Sequence, residues 1–379
     1  MLRVLDTHHI LSAPVFAANS SRCVGWISVG DVLRAILGWA ALMDDPSPAG
    51  RVENLRRAGA RLETSRVRDI ARANDGSLLL AASEGISLLD VVRDGLLRGS
   101  GGCGAGVPPC HRVGVYDFEG APGGGGGEEE GEDGAAYPAA VAAAPAGLPG
   151  EAGPAFAGAD GAPLPPGADP TDVRVVGIVS QSDIIRFLAR GRGGGGASCL
   201  PATPVSDLPG LISSPVISVP SDMPAALAFA SLFASEGVVS AAAVLESRGP
   251  AAGTLVGTLS TADLRGMRPD GLAALATPTL AYLSTRPARP NVHGAGKTEA
   301  DVGAGGPADS PEAWGVRAPD AGPGTHPLRV EVVSPTTPFS EVVTRLAASG
   351  VHRAYVCSED GRPEGVITLT DILRVVAAG

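Results

Sequence analysis

Asp31, Asp183, Asp263 and Asp371 each lie three residues after a hydroxyl side chain, namely Ser28, Ser180, Ser260 and Thr368. Each pair sits in one short phrase: glycine, two apolar or small residues, hydroxyl, two residues, aspartate, apolar residue. The copies are Gly25-Trp-Ile-Ser28-Val-Gly-Asp31-Val, Gly177-Ile-Val-Ser180-Gln-Ser-Asp183-Ile, Gly257-Thr-Leu-Ser260-Thr-Ala-Asp263-Leu and Gly365-Val-Ile-Thr368-Leu-Thr-Asp371-Ile. An arginine follows in each: Arg34, Arg186, Arg265 and Arg374. Two chemistries fit a hydroxyl and a carboxylate at this spacing. They can satisfy the free N–H groups of a helix's first turn as a capping box. The same carboxylate, at a strand-to-helix junction, can accept hydrogen bonds from ribose hydroxyls beside a helix N-terminus that favours phosphate. For any one copy alone, capping is a sufficient explanation.

A phrase repeated four times implies one small supersecondary unit, copied, whose copies stack to bury their apolar faces. Val173–Val179 and Gly365–Leu369 have the length and β-branched content of buried strands. The hydroxyl residue ends each strand. Helical periodicity then runs from Asp31, Asp183 and Asp371. Upstream of the last phrase, Ser334–Phe339 reads as a turn with two prolines, and a helix from Ser340 is closed by Gly350. Val351–Cys357 follows as a strand and Ser358–Gly361 as a turn. The unit is therefore β–α–β–β–α in about fifty residues. The third copy matches through Val216–Val219, a helix over Met223–Ser235 and a strand over Val238–Leu245. The second matches through Leu78–Ala81, a helix over Ile86–Leu97 and a strand over His111–Tyr116. In the first, Met1 falls inside or just before the helix, so the opening strand is missing.

These residues resemble the cystathionine-β-synthase (CBS) domain, and four copies look like two tandem pairs. The stretch Gly350-Val-His-Arg-Ala-Tyr-Val, followed by Glu364-Gly-Val-Ile-Thr-Leu-Thr-Asp-Ile-Leu, resembles the fourth repeat of the regulatory γ subunit (SNF4-like) of AMP-activated and SNF1-related protein kinases. Val239-Ser-Ala-Ala-Ala-Val resembles that family's third repeat, where the His-Arg pair is absent, and His111-Arg112 in the second repeat again follows the γ pattern. The resemblance covers most of residues 1–120, 173–285 and 328–379. It implies an α/β (α+β) fold in which repeats one and two pair, three and four pair, and the pairs face each other as a disc. It also implies AMP, ADP or ATP as ligands, kinase catalytic and scaffolding subunits as partners, and a cytoplasmic or nuclear setting. On this reading Asp31, Asp183, Asp263 and Asp371 are ribose ligands, with Ser28, Ser180, Ser182, Ser260, Thr368 and Thr370 as hydroxyl donors. His111-Arg112 and His352-Arg353 would approach phosphates, a task suited to the planar, permanently charged arginine fork.

The sequence departs from the γ pattern in two places. That family's second repeat usually lacks its aspartate, whereas Asp183 is present here. A phosphate-facing arginine precedes the Ala-Pro of its first repeat, and here Leu11 stands ahead of Ser12-Ala13-Pro14. The sensor type carries over, and the number of filled sites does not.

Net charge is −11, but residues 121–172 hold nine acidic side chains and no Lys or Arg, leaving −2 for the rest. This segment, with Gly123–Gly127, Glu128-Glu-Glu-Gly-Glu-Asp and Ala/Pro/Gly repeats, lacks the apolar surface to order itself and is expected to be disordered. It interrupts the second copy between its central strands, which costs little because loop closure entropy grows only logarithmically. A Pro/Gly-rich stretch at 286–327 separates copies three and four. Another at 191–204 separates a first half (1–190) from a second (205–379).

Other chemistry finds little footing. Gly294-Ala-Gly-Lys-Thr298 ends like a P-loop, but Asn291 stands where the motif needs glycine and no strand precedes it. Cys23, Cys103, Cys110, Cys199 and Cys357 form no Cys-x-x-Cys pair. Cys103, Cys110 and His111 lack a fourth partner for a metal. No signal peptide and no apolar stretch of bilayer length is read, so the chain is expected to be soluble, reduced and intracellular, away from membranes. Aromatics are 4% with no basic cluster, so nucleic acid is not an expected partner. No nucleophile–base or paired-carboxylate arrangement stands outside the repeats, so no enzyme activity and no cofactor are expected. Two functions remain: a nucleotide-sensing regulatory subunit, and a CBS-repeat scaffold that holds partners without binding ligand.

Overall fold

A computed structural model describes residues 2–7, 10–16, 23–40, 47–70, 79–82, 87–97, 112–118, 156–158, 173–190, 200–234, 240–285 and 330–378. The chain divides into two compact units. One comprises Met1–Ala13, Ile27–Ala71 and Ser182–Gly379, and the other Pro14–Trp26 and Arg72–Gln181. Around the first phrase lie α1 (Leu2–Thr7), β1 (Ser12–Phe16), β2 (Cys23–Ser28) and α2 (Val29–Ala40), followed by α3 (Pro48–Thr64) and α4 (Val67–Ile70). Around the second lie β3 (Leu79–Ala82), α5 (Leu88–Asp90) continued as a π-helical turn over Val91–Leu96, β4 (Arg112–Phe118), β5 (Phe156–Gly158), β6 (Val173–Ser180) and α6 (Gln181–Arg190). The third has a 3₁₀ turn at Val205–Asp207, β7 (Ser218–Pro220), α7 (Ala225–Ala234), β8 (Ala241–Leu245) and β9 (Leu255–Ser260). Two 3₁₀ segments, Thr261–Leu264 and Pro269–Ala276, lead from it to α8 (Thr279–Ser284). The fourth has β10 (Glu331–Val333), α9 (Phe339–Ser349), β11 (Arg353–Cys357), β12 (Pro363–Thr368) and α10 (Leu369–Ala378).

The last copy shows why these residues fold locally. Phe339, Val342, Val343 and Leu346 recur at helical spacing and form the buried face of α9. Gly350 then takes a left-handed conformation (φ 67°) and stops the helix. In β11, Ala354, Tyr355, Val356 and Cys357 are all buried, as a central strand covered on both faces requires. The order is β10-β11-β12, parallel then antiparallel, and β7-β8-β9 repeats it. The second phrase ends a four-stranded sheet, β5-β3-β4-β6, with the same parallel and antiparallel pairings at its centre.

These three sheets share one irregularity. Val115, Val244 and Val356 pair with Gly177, Gly257 and Gly365, and the next residue on the inner strand skips one partner. The skipped residues, Val176, Val256 and Glu364, are β-bulges immediately before each phrase's glycine.

Within the larger unit, the two three-stranded sheets meet through Ala243, Leu255, Tyr355 and Cys357, with Val216, Val332 and Val366 around them. The main core lies on the helical side, where Val32, Leu33 and Ile36 of α2 join Leu55 and Ala58 of α3, Phe229 and Leu232 of α7, and Leu272, Leu275 and Tyr282. Helix α3 was not foreseen. Ser47 caps it by accepting from Gly50 N–H at 3.0 Å, and Pro48 opens it. Its Gly59 packs against the backbone of Pro269, where an added Cβ would lie 2.3 Å from the carbonyl oxygen.

Three expectations need correcting. Phe156–Gly158, inside the 121–172 segment expected to be disordered, pairs antiparallel with β3 and forms the edge of its sheet. Directly after the third phrase comes a 3₁₀ turn in place of an α-helix: it ends at Leu264, and Gly266 takes φ +74°. Residues 200–204, placed in a linker, lie along the fourth copy, where Phe339 N–H donates to Thr203 O at 2.9 Å. Residues 286–327 and the rest of 121–172 lie outside the described residues.

Candidate functional site

The site begins where the strand of each phrase ends and the chain turns into a helix or a 3₁₀ turn. In the fourth copy, Thr368 N–H and Oγ1 donate to Asp371 Oδ2 at 2.9 and 2.6 Å, and Asp371 N–H donates back to Oγ1 at 3.3 Å. Arg374 Nη1 reaches Asp371 Oδ1 at 2.8 Å. The first copy repeats this atom for atom: Ser28 N–H and Oγ donate to Asp31 Oδ2 at 2.9 and 2.7 Å, and Asp31 N–H returns to Ser28 Oγ at 3.1 Å. In the third, Ser260 N–H and Oγ donate to Asp263 Oδ2 at 2.6 and 3.0 Å. All three are capping boxes, so the carboxylates do the structural half of the work expected of them. In the second, the unit boundary falls between Gln181 and Ser182, so Ser180 and Asp183 belong to different units. There Arg186 Nη1 holds Asp183 Oδ1 at 3.1 Å.

The arginine after each phrase divides them. Arg34, Arg186 and Arg374 lie three residues past their aspartates and pair with them at 3.4, 3.1 and 2.8 Å. Arg265 is two residues past Asp263, and its Nε lies 3.7 Å from Asp6 Oδ1 instead. The helices after the other phrases bring residues three apart onto one face, whereas the third turn ends at Leu264 and Arg265 leaves it with φ −57° and ψ 137°.

The strand register sets the second group of residues. Arg353 stands opposite Thr368, Arg112 opposite Ser180, and Ala241 opposite Ser260. The backbone just before the central strands β11 and β8 is also matched: Leu369 N–H donates to His352 O at 3.2 Å, and Thr261 N–H to Ser240 O at 3.0 Å. Ser240-Ala241 thus occupies the place of the His-Arg pair in the third copy. Arg353 reaches across to that place. Its Nη2 donates to Ser240 Oγ at 2.8 Å and its Nη1 to Ala241 O at 3.3 Å. A fixed positive charge of the fourth copy therefore lies against the start of β8, whose Ala241 faces Ser260 of the third phrase. His352 is exposed, Ser182 is half-buried and Thr370 is buried. His111 lies outside the described residues.

Two participants escaped sequence reasoning. Ser240 could have been found by aligning Val239-Ser-Ala with Val351-His-Arg. Ser213 could not: its Oγ donates to Asp371 Oδ1 at 3.3 Å from 158 residues away. Asp371 is 3% exposed as a result of these contacts.

Comparison with known proteins bears on the fold. Residues 327–378 match the CBS domain. No curated protein sequence matches the chain. Among solved structures, protein MJ1225 from Methanocaldococcus jannaschii, suggested to be an archaeal homolog of g-AMPK, is similar with a TM-score of 0.53 at 12% identity. The match covers 99% of this chain and 91% of that one. This likeness establishes the α+β fold. An uncharacterized conserved protein from Pyrococcus horikoshii is similar with a TM-score of 0.43 at 15% identity, over 96% of this chain and 90% of that one. The CBS domain pair of protein MJ0100, in complex with 5-methylthioadenosine and S-adenosyl-L-methionine, gives a TM-score of 0.29 at 15% identity over 47% and 98%. Among the described residues no helix is long and apolar enough to cross a membrane.

Proposed function

We propose that this chain is an adenine-nucleotide-binding regulatory subunit, the γ-type energy sensor of a protein kinase complex related to the AMP-activated and SNF1-related kinases. It acts without catalysis and without a cofactor, in the cytoplasm or nucleus, through a kinase catalytic subunit and a scaffolding subunit. The observation that carries the reading is Arg353, whose guanidinium lies against Ser240 beside the third junction. An arginine beside a carboxylate-bearing strand end offers what a nucleotide needs, cationic donors for phosphate and acceptors for ribose. The CBS match at residues 327–378 supports the fourth junction as part of the same device. Nucleotide acts on the kinase by binding its two states with different affinity, with couplings on the order of 1–3 kcal/mol.

Calorimetric titration of the purified chain with AMP, ADP, ATP and S-adenosylmethionine tests the ligand. Saturable heat with at least one adenine nucleotide is expected. Affinity purification from the native cell tests the partner, with kinase subunits recovered and their activity responding to AMP or ATP. The scaffold reading is favoured by one observation: Asp371 already accepts from Thr368 N–H, Thr368 Oγ1, Arg374 and Ser213. A carboxylate offers about four acceptor positions. Titrations silent for all four compounds, with kinase subunits still recovered, would establish the scaffold instead.

A further inference from the structure

The chain from Leu208 to Pro215 crosses the fourth phrase as a strap. Ser213 N–H donates to Val366 O at 2.9 Å, and Val366 N–H donates to Ser213 O at 3.0 Å, an isolated antiparallel bridge. Ile212 lies over Gly365 so closely that a Cβ there would come within 2.3 Å of Ile212 Cγ2. The absence of a side chain at Gly365 lets the strap approach, and the approach places Ser213 Oγ on Asp371 Oδ1. The strap is anchored upstream as well, where Val205 N–H donates to Thr337 O at 3.0 Å.

The first copy serves as an internal control. Asp31 holds the same contacts from Ser28 and Arg34, with no strap hydroxyl on it among the described residues. Its side chain is 18% exposed, against 4% for Asp371. Of the four contacts on Asp371, the two from Thr368 belong to the helix cap and the one from Arg374 is an ion pair at 2.8 Å. The Ser213 contact is neutral, comes from another part of the chain and is the longest at 3.3 Å. It is the contact that a ligand can displace at least cost.

We propose that Ser213 is the specificity-determining gate of the fourth site: its hydroxyl holds the Asp371 oxygen that a ligand diol must take. This rests on the nucleotide-binding reading above. A ribose enters by exchanging one of its hydroxyls for that of Ser213 at Oδ1, while the cap on Oδ2 stays in place. Adenosine-type ligands with an intact cis-diol can make that exchange, and 2′-deoxy analogues exchange one hydroxyl for one with no second donor to gain. The fourth site is therefore weaker in the native chain than its aspartate alone would make it.

The test is calorimetry with AMP on the full chain, comparing wild type with Ser213→Ala, Ser213→Cys, Asp371→Ala and the Ser213→Ala/Asp371→Ala pair. Ser213→Ala is expected to tighten one class of sites about tenfold, equivalent to about 1.4 kcal/mol, and to add nothing in the Asp371→Ala background. Ser213→Cys keeps the volume, weakens the donor and is expected to change affinity in the same direction. Wild-type binding with unchanged or weaker affinity in the Ser213 variants overturns the gate and leaves the nucleotide reading standing, as does tightening that persists without Asp371. No heat with wild type or with any variant overturns the nucleotide reading, and the gate with it.

Discussion

The hydroxyls of Tyr355 and Thr258 meet at 2.9 Å between the two three-stranded sheets. Tyr355 is 2% exposed, and burial raises its pKa despite the nearby Arg353. Thr258 also donates to Ala242 O at 3.3 Å, so it keeps one partner if the phenol is lost. Tyr355→Phe should therefore cost about 0.5–1.5 kcal/mol, the ordinary worth of one buried hydrogen bond. Urea denaturation measures it, and a loss several times larger would mean that the phenol also orders the sheet interface.

Asp371→Ala separates the cap that the fourth carboxylate forms from the ligand role proposed for it. Loss of the cap should lower stability by about 1 kcal/mol. Loss of a charged acceptor should weaken nucleotide binding by roughly 1–3 kcal/mol. Denaturation and titration on the same preparation read both. An unchanged affinity with lowered stability would leave Asp371 as a cap alone.

Arg353→Gln removes a permanent charge but keeps an amide able to reach Ser240. Binding of AMP and ATP should fall by about 1.5–3 kcal/mol, the range for hydrogen bonds to charged groups. Adenosine, which carries no phosphate, should bind as before. Equal losses for adenosine and AMP would remove the phosphate role from this residue.

Burial, and secondarily the Glu364 carboxylate, pushes the Cys357 thiol from 9.0 up to about 12. The folded chain then keeps a proton that the unfolded chain has released, so folding binds protons in that window. The stability this represents is complete below pH 9 and is lost as the pH rises toward 12. Denaturation midpoints should fall as the pH is raised from about 9 to about 11, and Cys357→Ala should flatten the fall. Slow reaction of Cys357 with thiol reagents in the native chain is the companion result.

Gly59→Ala tests the packing of α3. The new methyl group would meet the Pro269 carbonyl oxygen at 2.3 Å, and that atom is backbone. The substitution should destabilise by about 1–3 kcal/mol, although alanine is the better helix former. A neutral or stabilising result would show that the helix and the Pro269–Ala276 turn can separate freely.

Much of this architecture was legible because its signals are local. The capping boxes at Ser28, Ser260 and Thr368 could be read from a spacing of three. The α9 helix could be read from Phe339, Val342, Val343 and Leu346 with Gly350 behind them. Helix α3 was missed because its buried face is carried by Asn54, Leu55, Ala58 and Gly59, a weak apolar stripe among arginines. β5 was missed because three residues in an Ala/Gly/Pro-rich segment carry no strand signal, and what makes them a strand is the open edge of β3. Ser213 on Asp371 and Arg353 on Ser240 depend on how separate parts of the chain pack, which spacing along the sequence does not encode.

The bulges at Val176, Val256 and Glu364 make the junction chemistry independent of the hairpin that leads to it. In a strand, an offset of one residue turns every side chain to the opposite face. The bulge sits beside the glycine in all three sheets, so the phrase is in the same step with its central strand whatever length of chain joins the two. The second copy demonstrates this tolerance. Between Phe118 and Val173 its hairpin accommodates more than a whole repeat's worth of chain, yet Arg112 still faces Ser180 as Arg353 faces Thr368. A reporter domain inserted into that span away from β5 is expected to leave the junctions downstream in alignment.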